Sequence, residues 1–273
     1  MLKGKVIKGI GGLYNVKTDN GIYACRARGK FRKDKISPLP GDNVTIEVIS
    51  DTNEEGLIVD ILERKNKLIR PPIANIDIMF IVIAVKNPEP SLIVTDKLIA
   101  VCEEKQIEPV ICINKIDLKE DEELYNIYRN AGFKTLCMSA KENIGIDELK
   151  KLIKNNVCAF SGFSGVGKTS ILNQLGLRGL QVGEISSKIL RGRHTTRHVE
   201  LFEVCGGYIA DTPGFGDLDI EMVLESPKEN LQYLFREFDG FIGNCRFNNC
   251  CHINEPSCAV KEALNNNLIS ISR

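Results

Sequence analysis

The chain has 273 residues, 43% hydrophobic and 26% charged, the balance of a soluble globular protein with room for two or three cores. Lys plus Arg and Asp plus Glu both number 36, so net charge gives no general attraction to nucleic acid, and any basic surface has to be local. The longest apolar run, Ile78 to Val85, is too short to span a bilayer and the N-terminus lacks a signal-peptide core; the expectation is a cytoplasmic protein with no membrane partner.

Short apolar runs at Lys5–Ile7, Leu13–Val16, Ile22–Cys25, Val44–Val48 and Leu57–Ile61 alternate with turns at Gly11-Gly12, Asp19-Asn20-Gly21 and Pro40-Gly41-Asp42. Five strands at this spacing predict a small OB-type β-barrel over residues 1–66. Between the third and fourth strands stand Arg26, Arg28, Lys30, Arg32, Lys33 and Lys35, with Phe31 among them and only Asp34 opposing. On a barrel loop this reads as an RNA-binding patch, the cations for the phosphate backbone and the ring for stacking. A solvated charged loop is the plainer alternative.

Arg70-Pro71-Pro72 reads as a linker, because the prolines stiffen the chain without continuing a strand. Beyond it, strands alternate with helices: strand 76–85, helix 92–105, strand 109–113, helix 122–131, strand 134–138 and helix 147–154. The pattern predicts an α/β doubly wound domain over 67–220, in which ligands bind beyond the carboxyl ends of the strands.

Each expected strand end carries chemistry. Asn114-Lys115-Ile116-Asp117 follows one strand. The Asp117 carboxylate can accept from guanine N1–H and the exocyclic amine, edges that adenine does not offer, while the Lys115 stem packs on the base and Asn114 ties this loop to the phosphate loop. Ser139-Ala140-Lys141 follows the next strand, with the Ala140 N–H available to guanine O6. Then comes Gly162-Phe163-Ser164-Gly165-Val166-Gly167-Lys168-Thr169-Ser170, set between an apolar strand and a helix. Glycines let backbone N–H groups converge on phosphate oxygens, Lys168 reaches the β- and γ-phosphates, and the Thr169 hydroxyl ligates Mg²⁺. Downstream, the cationic stretch Leu190 to His198 offers Thr195 or Thr196 as a further Mg²⁺ ligand, the two being inseparable from sequence. In Asp211-Thr212-Pro213-Gly214, Asp211 is placed to hold Mg²⁺ through water and the Gly214 N–H to meet a γ-phosphate. The set reads GTP, but the base-reading motifs precede the phosphate loop, which is the order of a circular permutation.

Ten cysteines divide into six scattered singly, read as small buried hydrophobes, and four crowded between Cys245 and Cys258 around His252. Without an export signal, Cys-x4-Cys-x-His-x5-Cys reads as a closed, structural zinc site, with Cys251 able to stand in for Cys250. The small terminal region 221–273 is mostly helical in this reading, with helical periodicity over Leu224–Phe238, and depends on the metal to fold.

The motif order, Gly192-Arg193-His194-Thr195-Thr196-Arg197, Asp211-Thr212-Pro213-Gly214-Phe215 and the flanking features resemble the ribosome-small-subunit-dependent GTPase A family over nearly the whole chain. The resemblance implies an N-terminal OB domain, a circularly permuted GTPase domain and a C-terminal zinc domain. It implies Cys245, Cys250, His252 and Cys258 as zinc ligands, and a further helix beyond Arg273 in most family members. It also implies a monomeric GTP hydrolase acting late in small-subunit maturation, stimulated by the subunit and released on hydrolysis. Phe215 stands where many GTPases carry a water-orienting Gln, and the family places a His in that role, which maps onto His194 beside Lys168; contact of His194 with RNA or phosphate is the other option. The alternative function is an RNA-binding checkpoint in which GTP is mainly a structural ligand; a third is a permuted GTPase of the large subunit.

Overall fold

The computed structural model describes residues 1–33, 36–50, 52–69, 71–177, 199–211, 224 and 226–273. The first five strands are β1 (Leu2–Ile10), β2 (Leu13–Thr18), β3 (Gly21–Ala27), β4 (Asn43–Ser50) and β5 (Glu55–Ile61). They run in the order β1-β2-β3-β5-β4, with β4 returning to β1 and β3 parallel to β5, which closes an OB-type barrel. Alternation along the strands sends Val6, Val16, Tyr23, Cys25, Val44, Ile46 and Ile58 inward. Burial pushes the Cys25 thiol up to about 11, so it packs as a hydrophobe rather than acting as a nucleophile.

Helix α1 (Lys30–Lys33) lies between β3 and β4 and corrects one expectation. Phe31 is only 6% exposed and belongs to the barrel core, so its ring is not available to stack on a base.

The expected linker is also corrected. β6 (Lys67–Leu68) and β7 (Ile73–Ala74) pair as a hairpin, with the Pro71-Pro72 step in its turn. The hairpin is bolted to the barrel: the Ala74 N–H donates to Pro40 O (2.9 Å), Asn75 Nδ2 to Gly41 O (3.0 Å), and Arg64 Nε to the fully buried Asp42 carboxylate (2.7 Å). Leu68, Ile73 and Ile76 enter the core of the next domain, so this stretch is a packed elbow.

That domain contains β8 (Ile78–Ala84), α2 (Leu92–Glu104), β9 (Glu108–Asn114), α3 (Glu122–Asn130), β10 (Lys134–Cys137), α4 (Ile146–Ile153), β11 (Val157–Ser161), α5 (Lys168–Gln174), β12 (Glu200–Val204) and β13 (Gly207–Asp211). Its sheet runs β10-β9-β8-β11-β13-β12, parallel except for β12. β8 is buried at every position because helices cover both faces: α2 and α3 on one, through Leu98, Ile99, Leu124 and Tyr128, and α4 and α5 on the other, through Leu149, Ile153, Ile171 and Leu172. From β8 the chain adds β9 and β10 on one side and then β11 and β13 on the other, and the crevice at such a switch point is where ligands bind.

The C-terminal region departs from the expected α-helix. Within Leu224–Phe238 the described residues form two 3-10 turns, Lys228–Leu234 and Arg236–Phe238, broken where Phe235 is extended (φ −118°, ψ 98°). Arg236 forms ion pairs with Glu103 and Glu108 (both 2.8 Å) and lies over the Phe133 ring, which favours docking over a continuous helix. Helix α6 (Ala259–Asn265) then packs with Ile269, Cys250 and Cys258 in a very small core.

Candidate functional site

The parallel strands β8, β9, β10, β11 and β13 present their carboxyl ends along one edge, which gathers the motifs. β11 runs into the phosphate loop, and Gly167 caps α5 with φ +104°. A side chain on Gly162 (φ +136°) would overlap the Val82 carbonyl, and one on Gly167 would overlap Asn114 Nδ2. Glycine is required at both positions by backbone conformation and by close approach. Lys168 is 8% exposed and donates to the Gly162 and Phe163 carbonyls (2.6 and 2.7 Å), which holds the ammonium over the cradle. Thr169 follows in the first turn of α5, with Phe163, Ser164 and Gly165 on the exposed rim and Val166 buried beneath.

Asn114, 1% exposed at the end of β9, is the keystone. Its Nδ2 donates to Val166 O (2.8 Å) in the phosphate loop, and its Oδ1 accepts from the Ala140 N–H (3.1 Å). One amide thus sets the distance between the base-reading loops and the phosphate cradle. The Ala140 N–H is already engaged here, so a guanine O6 has to share it. Lys115 turns left-handed (φ +66°) and donates to the Asn87 carbonyl; Asp117 accepts from Ser139 Oγ (2.6 Å), and Lys141 lies 4.0 Å from its other oxygen. Ser139 is fully buried, and Gln174 of α5 donates to Ala140 O (2.9 Å), a brace that carried no sequence signal. Ser170 follows Thr169 on α5, exposed. His194, Thr195, Thr196 and Gly214 lie outside the described residues, as does the Asp211 side chain, although its backbone ends β13 on the same edge.

On the barrel, Arg26, Arg28 and Lys30 are exposed, with Lys30 Nζ 5.0 Å from the Phe31 centroid and 4.0 Å from Asp60. The side chains of Arg32 and Lys33, and all of Lys35, lie outside the described residues.

At the far end, Cys245, Cys250, His252 and Cys258 bring their ligand atoms within 4.8 Å of one another. Cys245 Sγ stands 3.6 Å from His252 Nδ1 and 3.9 Å from Cys258 Sγ. Zn–S bonds of about 2.3 Å at tetrahedral angles put thiolates roughly 3.8 Å apart, so the residues fit a structural zinc ion with no open position. Cys251 is exposed and turned toward Asn249 O, which leaves Cys250 as the ligand. Two residues were missed from sequence. Gln232 Oε1 lies 2.8 Å from His252 Nε2, which fixes the tautomer and leaves Nδ1 for the metal. Glu255 collects the N–H groups of Cys251, Ile253 and Asn254 (2.9, 3.0 and 3.0 Å), and these bonds, that of Cys251 first, lower its pKa.

Comparison with known proteins decides the family. The RsgA GTPase family model matches residues 61–221, and that of the RsgA N-terminal domain matches 3–58. The chain belongs to the RsgA GTPase family. It is 48% identical to the small ribosomal subunit biogenesis GTPase RsgA of Caldanaerobacter subterraneus subsp. tengcongensis, covering 100% of this chain and 92% of that protein. It is 43% identical to the RsgA of Clostridium beijerinckii, covering 98% and 92%. Among solved structures, YjeQ from Thermotoga maritima superposes with a TM-score of 0.86 at 35% identity, covering 100% of this chain and 94% of that one. YloQ, described as a circularly permuted GTPase, gives 0.82 at 34%, covering 99% and 90%. RsgA membership makes the chain a GTP hydrolase, and the permutation accounts for a phosphate loop that follows the base-reading strands.

Proposed function

We propose that this RsgA protein binds the small ribosomal subunit, hydrolyses GTP when docked there late in subunit maturation, and leaves on hydrolysis. The observation that carries the reading is the Asn114 amide, which couples the base-reading loops to the phosphate cradle beside an OB barrel presenting exposed Arg26, Arg28 and Lys30. The relatives' printed name supplies the subunit.

In this reading Asp117 reads guanine, Lys115 packs on the base, and Ser139 holds the Asp117 carboxylate in place by its hydrogen bond. Residues 162–170 cradle the phosphates, and Lys168 exchanges its loop carbonyls for phosphate oxygens. Thr169, Asp211 and one of Thr195 and Thr196 hold Mg²⁺, which supplies charge neutralisation when bound. Gly214 meets the γ-phosphate and His194 orients the attacking water. Arg26, Arg28, Lys30, Arg32, Lys33 and Lys35 contact RNA backbone, without the stacking role first expected of Phe31. The domains are 1–66, 67–220 and 221–273, and the protein works as a cytoplasmic monomer away from membranes. Among the described residues no helix is long and apolar enough to cross one.

Single-turnover GTP hydrolysis on purified small subunits tests this. Acceleration over the free protein is expected, whereas equal rates would leave GTP as a structural ligand only. His194→Ala is expected to lower the stimulated rate about 100-fold, the scale of a lost acid–base or orienting group, with GTP affinity within about 2-fold of wild type. Equal losses of both would reassign the residue.

A further inference from the structure

The barrel and the GTPase sheet are one continuous sheet, joined where β1 pairs with β12. A bulge between Val6 and Lys8 makes this possible. Before it, Leu2 to Lys5 pair with β4 and close the barrel; beyond it, Lys8 is free to pair with Glu200. The joint is narrow, for Lys8↔Glu200 is the one residue pair in register between the two strands among the described residues. Beside it the two bodies are parted by a groove lined by Lys3, Lys17, Asn43, Glu203 and Tyr208. Side chains reinforce the backbone: Lys8 Nζ lies 2.5 Å from the Glu200 carboxylate, each about one-third exposed, and Lys17 Nζ lies 3.6 Å from Glu203.

The next register position is the informative one. Glu200 on β12 faces Asp211 on β13. Lys8, Glu200 and Asp211 therefore form a transverse row across three strands, from the barrel to the residue assigned to the Mg²⁺ shell, about 10 Å in two strand spacings. Along the chain, Glu200 also comes two residues after His198, the end of the cationic threonine stretch.

We propose that the Lys8–Glu200 pair is a positioning contact through which a docked barrel sets the place of Asp211, and so the rate of hydrolysis; this rests on the subunit-stimulated reading above. Neither residue belongs to a nucleotide motif. A sheet row transmits displacement because its hydrogen-bonded neighbours keep their spacing, and the ion pair fixes the register where β1 meets β12.

The test uses the full-length protein with Lys8→Glu, Glu200→Lys, the double exchange and the milder Lys8→Met. GTP turnover is measured with and without small subunits, alongside subunit binding by co-sedimentation and affinity for a fluorescent GTP analogue. Lys8→Glu is expected to keep basal turnover and GTP affinity while stimulation falls about 5-fold, the lower end of usual coupling between sites. Lys8→Met is expected to lose about 2-fold, since it deletes a partly exposed pair without adding repulsion. The double exchange is expected to restore most of the stimulation. Full stimulation in Lys8→Glu, no restoration in the double exchange, or a loss of subunit binding matching the loss of turnover would each overturn the proposal. A wild-type protein that small subunits fail to stimulate would remove the functional reading itself, and the positioning role with it.

Discussion

In the proposed function, nucleotide choice rests on Asp117. Its carboxylate is held by Ser139 Oγ at 2.6 Å, in an orientation set by a fully buried hydroxyl. Asp117→Asn replaces two acceptors by one acceptor and one donor, which suits a base with a carbonyl in place of the guanine amine. Affinity is expected to fall about 100-fold for GTP and to rise for xanthosine triphosphate, read by competitive nucleotide binding; each mismatched hydrogen-bonding group is worth about 1–3 kcal/mol when buried. Unchanged preference would show that Asp117 does not read the base. The same motif was legible in the sequence because strand-end chemistry follows from spacing. Gln174 and Gln232 were not legible, since an amide on a polar helix face looks the same whether it braces a loop or a solvent shell. Gln232→Ala is expected to release zinc about 10–100-fold more readily to a chelator, with GTP binding unaffected, because the outer-shell bond to His252 orients the ligand. Zinc retention equal to wild type would make that bond incidental.

At the scale of elements, the strands and the helices flanking the phosphate loop follow from periodicity and turn residues, and they fall where those predict. Three elements do not, for three physical reasons. Phe31 sits among cations in sequence, but a four-residue helix turns it into the barrel, and facing is invisible in so short a segment. Pro71-Pro72 reads as a stiff spacer, yet four residues suffice to turn a hairpin whose flanks, Leu68 and Ile73, are both buried. Leu224–Phe238 has helical spacing, but Arg236 is drawn to Glu103 and Glu108, tertiary partners more than a hundred residues away in sequence. The phosphate loop itself is intolerant. Gly167→Ala meets both a left-handed backbone and the Asn114 amide, a strain of about 1–3 kcal/mol. GTP affinity is expected to drop at least about 10-fold, measured by equilibrium titration, while the barrel and zinc region keep their folds. Wild-type affinity would mean that the cradle can widen without cost.

At the scale of the whole molecule, contacts among the described residues tie the three modules together. The elbow around Arg64 and Asp42 fastens the barrel, the β1–β12 row joins the sheets, and Arg273 fastens the zinc region. Its guanidinium is almost fully buried, pairs with Asp96 of α2 and Glu237 (2.5 and 2.6 Å), and lies over Tyr128, Phe133 and Phe235. Burying so much charge favours a fixed geometry more than raw stability. Sequence disclosed the three modules and the permuted order, because each has its own residue pattern, but not how they meet, since the joints are tertiary pairs that no local pattern announces. Three joined modules with one nucleotide site suit the proposed coupling of subunit docking to hydrolysis. The most direct measurement is GTP turnover with isolated small and large ribosomal subunits in parallel, at equal concentrations and fixed salt. Small subunits are expected to raise turnover at least about 10-fold, in the range of coupling between distinct sites, and large subunits not at all. No acceleration by small subunits, or equal acceleration by both, would contradict the account.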